Sequence, residues 1–174
     1  MEEIVQLTSN AKLSEHLASP SEATLSNLSE LNCVRLSPHF VLGEFTKSGN
    51  HPEVYNIPSH EAIANLKRLC GWLEVLRERS GTPIRINSGY RSPQLNRAIH
   101  GNANSNHMTG CACDIRVSGM EQALRYAVIL MDYADESHQE FDELLIEKNR
   151  YGAIWVHFAV RPKDNRRKIL FINA

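Results

Sequence analysis

Two short stretches of the chain bring together residue types that bind metal ions. In SNHMTGCACD, His107 is followed seven positions later by Asp114, with a glycine-containing turn between them, and in IWVHF there is a further histidine, His157. A catalytic zinc site needs three protein ligands drawn from imidazole and carboxylate groups, with the fourth position left to water. His107, Asp114 and His157 are the candidate set for Zn2+.

Strand parity supports the set, because successive side chains alternate between the two faces of a sheet. In CACDIRV, Cys111, Cys113, Ile115 and Val117 share one face, which leaves Ala112, Asp114 and Arg116 on the other. In AIWVHFAV the apolar face is Ile154, Val156, Phe158 and Val160, with Trp155 and His157 opposite. Asp114 and His157 can therefore share a polar face, while the thiols go with the core. In FDELLIE, Glu143, Leu145 and Glu147 alternate with Leu144 and Ile146, so the glutamates fall on the His157 side. Either carboxylate is placed to act as a general base toward a metal-activated water. Glu147, next to the hairpin turn, is the first choice and Glu143 the second. In SGYRS, a glycine turn presents Ser88, Tyr90 and Arg91. The planar donor fork of Arg91 suits a substrate carboxylate or a developing oxyanion, and Ser88 and Tyr90 are candidates either to touch substrate or to hold the turn.

The elements that must position these residues follow from periodicity. Ser59 is an N-cap for a helix in which Ile63, Leu66, Leu69, Cys70, Leu73 and Leu76 recur at helical spacing until Gly81. TPIRINS (82–88) reads as a strand, SPQLNRAIH as a short helix, GNANSNHMTG as a loop, and 119–134 as a second long helix. FDELLIE and AIWVHFAV are strands joined by KNRYG, and RKILFIN is a third. Early helices and late consecutive strands predict an α+β domain with an antiparallel sheet packed against helices. Residues 1–36, rich in Ser, Asn and Glu, are expected to form an N-terminal extension of short helices or a loosely docked arm. Residues 37–174 are expected to form the zinc-binding domain.

The whole-chain balance excludes some partners. Nineteen Lys and Arg against 20 Asp and Glu give a net charge of -1, so no global charge draws the protein to nucleic acid or an anionic membrane. With 174 residues, 42% of them hydrophobic, the chain can bury one core. The acidic start MEEIVQLTSN shows neither a secretory leader nor a membrane span, so the chain is expected to be cytoplasmic as synthesised; separately, a monomer is expected. Four cysteines in such a chain are expected as reduced thiols. RPKDNRRK (161–168) reads as a solvated turn, although its cations could meet phosphates or carboxylates.

INSGYRS, SNHMTGCACD, FDELLIE and WVH, taken together, resemble the zinc D-alanyl-D-alanine carboxypeptidase superfamily, which includes phage L-alanyl-D-glutamate endolysins and shares its fold with the Hedgehog signalling domain. The resemblance spans roughly residues 37–160. It implies zinc on His107, Asp114 and His157, a catalytic carboxylate near the last histidine, and Arg91 beside the scissile carbonyl. Its substrate class is the stem peptide of peptidoglycan, cut next to a D-amino acid, and a leaderless member would suit release to the cell wall through a phage-type pore. This chain departs from the pattern at Ile154, where many members carry an acid three positions before the final histidine. Glu147 matches the strand carboxylate of a branch that also lacks that acid. The missing acid at Ile154 opens one rival reading, a non-hydrolytic binding module of the same fold, and Cys111 and Cys113, which replace residues that are usually small or acidic, open a second, a closed structural site with a thiolate ligand.

Overall fold

A computed structural model describes residues 32–173, so the expected N-terminal extension lies for the most part outside the described residues. A short antiparallel pair, β1 (Arg35–Ser37) with β2 (Phe40–Val41), leads into the one-turn helix α1 (Leu42–Phe45). The long helix α2 (His60–Ser80) begins and ends at the expected residues. The Ser59 hydroxyl accepts from the Ala62 N–H at 3.2 Å, and Gly81, at φ 67°, donates its N–H to the carbonyls of Arg77 and Glu78. Its inner face buries Leu66, Leu69, Cys70, Leu73 and Leu76 completely. α3 (Pro93–Ala98) and α4 (Met120–Ser137) follow, α4 running three residues beyond the periodic stretch 119–134.

Five strands form the main sheet: β3 (Ile86–Ser88), β4 (Ala112–Arg116), β5 (Glu143–Lys148), β6 (Ile154–Ala159) and β7 (Lys168–Asn173), in the order β3-β4-β6-β5-β7. α2 and α4 cover one face. There Cys113, Ile115, Leu144, Ile146, Val156 and Phe158 join Leu66, Leu73 and Leu130 in a single core. The alternation read from the sequence in β4, β5 and β6 is the one observed, and the other face is left for Asp114 and His157.

The architecture is α+β as expected, but the sheet is mixed rather than antiparallel throughout, because β7 runs parallel to β5. β6 is antiparallel to β5, so it ends beside the start of β5. The chain then passes the start of β5, where the N–H groups of Arg167 and Lys168 donate to the carbonyls of Phe141 and Asp142 at 2.9 Å each, and β7 starts on the far edge in the same direction as β5. Consecutive strand-like runs suggest consecutive pairing. That expectation fails here because the eight-residue connection is long enough to step past a neighbouring strand. The first predicted strand is also shorter than read, with pairing confined to 86–88 and an irregular register against β4. Pro83, which has no N–H, stands at the edge of that stretch. Among the described residues no helix is long and apolar enough to cross a membrane.

Candidate active site

The sheet register aligns the site. Ser88, Asp114, His157 and Leu145 are successive Cα partners across β3, β4, β6 and β5, on the face away from the helices. His107 reaches the same place from a single 3₁₀ turn (Asn106–Thr109) that precedes β4. The turn needs a glycine at its end: Gly110 has φ 73°, and a Cβ there would stand 2.4 Å from the Ala62 carbonyl oxygen of α2. Gly89 is needed for the same reason of space, since a Cβ would come within 2.6 Å of Phe45.

Three donor atoms converge at the centre of this row. Asp114 Oδ1 lies 3.0 Å from His157 Nδ1 and 3.3 Å from His107 Nε2, and the two ring nitrogens are 3.2 Å apart. His107 Nδ1 is 2.6 Å from the Gly89 carbonyl oxygen, which can only accept, so Nδ1 holds the proton and the lone pair of Nε2 faces the cluster. Ligands about 2.0–2.1 Å from a tetrahedral zinc ion stand about 3.3 Å from one another, so these separations fit that ion. Lone pairs of a carboxylate and an imidazole brought this close repel unless a proton or cation lies between them, and the donor set therefore fits a metal on chemical as well as geometric grounds. His107, Asp114 and His157 are all buried.

Electrostatics sharpen the roles. Burial holds His107 below the usual histidine range, and so neutral. Burial alone would raise Asp114, but His107 and His157 outweigh it and keep the carboxyl well below the ordinary carboxylate range. Burial likewise opposes protonation of His157, yet Asp114 and Glu143 push its imidazole up to about 9.

The two glutamates on β5 flank His157 diagonally and differ in what surrounds them. Glu143 lies 3.5 Å from His157 Nε2, accepts from Asn106 Nδ2 at 3.0 Å and from Arg166 Nη2 at 2.9 Å, and has Lys168 Nζ at 3.6 Å. The 3.5 Å separation is long for a hydrogen bond, so the contact with His157 is mainly one of charge. Contact with His157, followed by Asn106 and Arg166, draws Glu143 down to about 2. Glu147 pairs across the ladder with Trp155. Its carboxyl is raised, first by burial, with the Asp114 charge adding to the rise and His157 and Arg91 opposing it. Both glutamates line one cavity of about 570 Å³ together with the three clustered residues, Arg91 and Trp155.

Arg91 sits closer to the cluster than an oxyanion role alone requires. Its Nη2 donates to Asp114 Oδ2 at 2.6 Å and its Nε to Ser88 Oγ at 2.9 Å, while the side chain also lines the cavity. Ser88 therefore spends its hydroxyl on Arg91. Tyr90 is packed in the core, and its carbonyl accepts from Asn56 Nδ2 at 2.9 Å, so neither residue lines the cavity. Cys113 is fully buried in the core and Cys111 is buried beside the Thr109 carbonyl; burial raises both thiols, and neither belongs to the metal-competent cluster found among the described residues. The sequence reading missed Asn106, Asp142 and Arg166. Asn106 Nδ2 also donates to Asp142 Oδ2 at 2.7 Å, tying the His107 turn to the start of β5. The juxtaposition of Asn with His in SNHM was a visible signal, but its partner 36 residues away was not.

The fold and the three-donor cleft make a site that fits a metal ion, and the sequence places the chain in a family. The Peptidase M15 family profile matches residues 38–144, well over half of the chain. The chain belongs to the Peptidase M15 family, within the superfamily of zinc D-alanyl-D-alanine carboxypeptidases and endopeptidases. Arg91, His107, Asp114 and Glu143 lie inside the matched span, whereas Glu147 and His157 follow it. Among solved structures, the L-Ala D-Glu endopeptidase ChiX of Serratia marcescens is similar at 18% identity and a TM-score of 0.39, covering 64% of this chain and 96% of its own. A search of curated proteins found no match.

Proposed function

We propose that this chain is a zinc-dependent peptidase that hydrolyses a peptide bond next to a D-amino acid in peptidoglycan stem peptides. The observation that carries the reading is the convergence of His107 Nε2, Asp114 Oδ1 and His157 Nδ1 to within 3.0–3.3 Å of one another in an open cleft. The family membership supplies the reaction class. A zinc ion on these three atoms would supply Lewis acidity to polarise the scissile carbonyl and acidify a water.

The chain's own groups do the rest. Glu147 takes the proton from the attacking water on a carboxylate oxygen and returns it to the leaving amine, so that the amide is cleaved by net addition of water across its C–N bond. Burial suits it to both halves of that task, because a carboxyl raised above its ordinary value accepts a proton more readily and still donates it. Glu143 is a poorer base: its oxygens already accept from Asn106 and Arg166, and it stands behind His157 as the carboxylate that orients the ring. Arg91 fixes Asp114 and places positive charge beside the carbonyl oxygen.

The test is zinc analysis combined with release of peptides from purified peptidoglycan, for the parent chain and for His157→Ala and Glu147→Gln. One zinc per chain, peptide release by the parent, loss of zinc in His157→Ala and loss of turnover with zinc retained in Glu147→Gln are expected. Zinc binding by the parent without peptide release would overturn the peptidase reading in favour of a binding module.

A further inference from the structure

RPKDNRRK (161–168), which joins β6 to the first residue of β7, carries five cations and one carboxylate, and the chemistry at the three-donor cluster leaves most of them unused. Its backbone is held firmly. Asn165 accepts from the Arg161 N–H at 2.8 Å through Oδ1 and donates back to the Arg161 carbonyl at 3.0 Å through Nδ2. Asp164 and Arg167, at φ 56° and 49°, are held in the left-handed region without being glycine. Such conformations persist where the surrounding structure over-determines them.

The five cations divide by direction. Arg167 pairs with Asp135 and, at 3.6 Å, with Glu140, away from the cleft. Arg166 is occupied by Asp142 and Glu143, and Lys168 stands over Glu143. Arg161 and Lys163 line a second cavity, of about 540 Å³, which adjoins the first: the two share Asn104, Ser105, Asn106 and Arg166 in their walls. Among the described residues the Arg161 side chain makes a 3.2 Å bond to the Asp164 carbonyl and a 3.6 Å contact with Asp142, and Lys163 forms no ion pair. Among the described residues, Glu61 is the single carboxylate lining this second cavity. A cleft whose lining cations outnumber its carboxylates focuses its field on an anion, and a guanidinium fork fits a carboxylate in two-point contact.

We infer that the second cavity is an anion subsite in which Arg161 and Lys163 bind a free carboxylate of an acidic peptide whose scissile bond lies at the His107, Asp114 and His157 cluster. The inference rests on the peptidase reading for the position of the scissile bond, and it adds a requirement for a carboxylate on the substrate at one groove length from that bond. Arg166 forms the shared wall and keeps its structural pairing with Asp142.

The experiment uses two fluorescein-labelled synthetic peptides that contain an L-Ala-D-Glu bond and differ only in a free carboxylate against a carboxamide on the residue beyond it. The zinc-loaded full chain is titrated by fluorescence anisotropy, and cleavage of the same peptides is followed by chromatography. The parent is expected to bind the carboxylate peptide about tenfold more tightly, and Arg161→Gln with Lys163→Ala to abolish that preference while leaving the carboxamide peptide unaffected. Lys163→Glu alone, at an exposed position with no ion pair to any described residue, should reverse the preference and guards against misfolding of the double variant. Equal affinity of the parent for both peptides, or an equal loss for both in the variants, would overturn the subsite. A carboxylate preference in binding with neither peptide cleaved would overturn the peptidase reading and leave the subsite standing.

Discussion

Asp114 and His157 are direct Cα partners across β4 and β6, and their side chains meet with Oδ1 3.0 Å from Nδ1. The sheet itself thus sets the spacing of two of the three donors, while the second oxygen of Asp114 is held by Arg91 at 2.6 Å. Removing Arg91 should therefore act through the metal. Arg91→Ala is expected to lower zinc affinity about 10- to 100-fold, as loss of a partner behind a ligand typically does, and His157→Ala to lower it further. Competition against a chromogenic chelator measures both. An unchanged zinc affinity in Arg91→Ala would confine Arg91 to substrate.

Glu147 and Glu143 should separate by pH as well as by rate. Glu147 must be ionised to take a proton, and burial raises its carboxyl, so kcat/KM should fall on the acid side at a higher pH than an ordinary carboxylate would give. Glu147→Gln should reduce kcat by about 10²- to 10⁴-fold and remove that acid limb. Glu143→Gln should act mainly on zinc affinity through His157, with a smaller loss of kcat. The reverse pattern, with kcat lost in Glu143→Gln and kept in Glu147→Gln, would exchange the two roles.

Much of this site was legible because period-two alternation is a local property. Leu144 and Ile146, or Val156 and Phe158, could be assigned to the core by their own sequence, and the polar partners Asp114, His157, Glu143 and Glu147 followed by default. What alternation cannot supply is pairing across distance. The parallel register of β7 on β5 depends on where an eight-residue connection crosses, and the Asn106 to Asp142 bond joins segments with no shared local pattern. The choice between Glu143 and Glu147 was hidden for the same reason: both lie on the correct face, and only Asn106, Arg166 and Lys168, brought from elsewhere, distinguish their environments. Tyr90 shows the converse, since a turn motif that presents an arginine to the cleft also turns its aromatic neighbour into the core.

The turn that delivers His107 depends on Gly110. Alanine there meets both an unfavourable φ of 73° and a backbone oxygen 2.4 Å from its Cβ, and a helix carbonyl cannot give way as a flexible side chain would. Gly110→Ala should destabilise the protein by about 3 kcal/mol or more and loosen zinc binding at the same time. Gly71→Ala, in the middle of α2 with nothing within 4 Å of its Cβ, is the control and should be neutral or stabilising. Equal stability of the two variants by urea titration would show that the turn relaxes.

Acid stability should be governed by the carboxylates that pin the same turn from the other side. Asp142 is fully buried and accepts from Arg166 Nε and Nη2 at 2.8 and 2.7 Å. Burial alone would raise its carboxyl, but Arg166 and Asn106 outweigh it and lower the value, and Glu143 next to it is drawn to about 2. A carboxyl whose folded value lies below its unfolded one contributes stability above the unfolded value and loses it as pH falls toward the folded one. For this pair the loss should occur as pH drops from about 4.5 toward 2. Arg166→Met leaves the buried Asp142 charge with Asn106, the backbone N–H of residue 166 at 3.2 Å and a 3.6 Å contact to Arg161, so the variant should be less stable at neutral pH by about 1–3 kcal/mol, discounted for the half-exposed arginine. It should also lose less on acidification, because an Asp142 carboxyl with fewer partners is less depressed and has less stability to lose on protonation. Urea midpoints at pH 7, 5 and 3 for both proteins read the two effects together. A parent midpoint that stays level from pH 5 to pH 3, or a variant that runs parallel to it, would mean that these carboxylates do not set the acid limit.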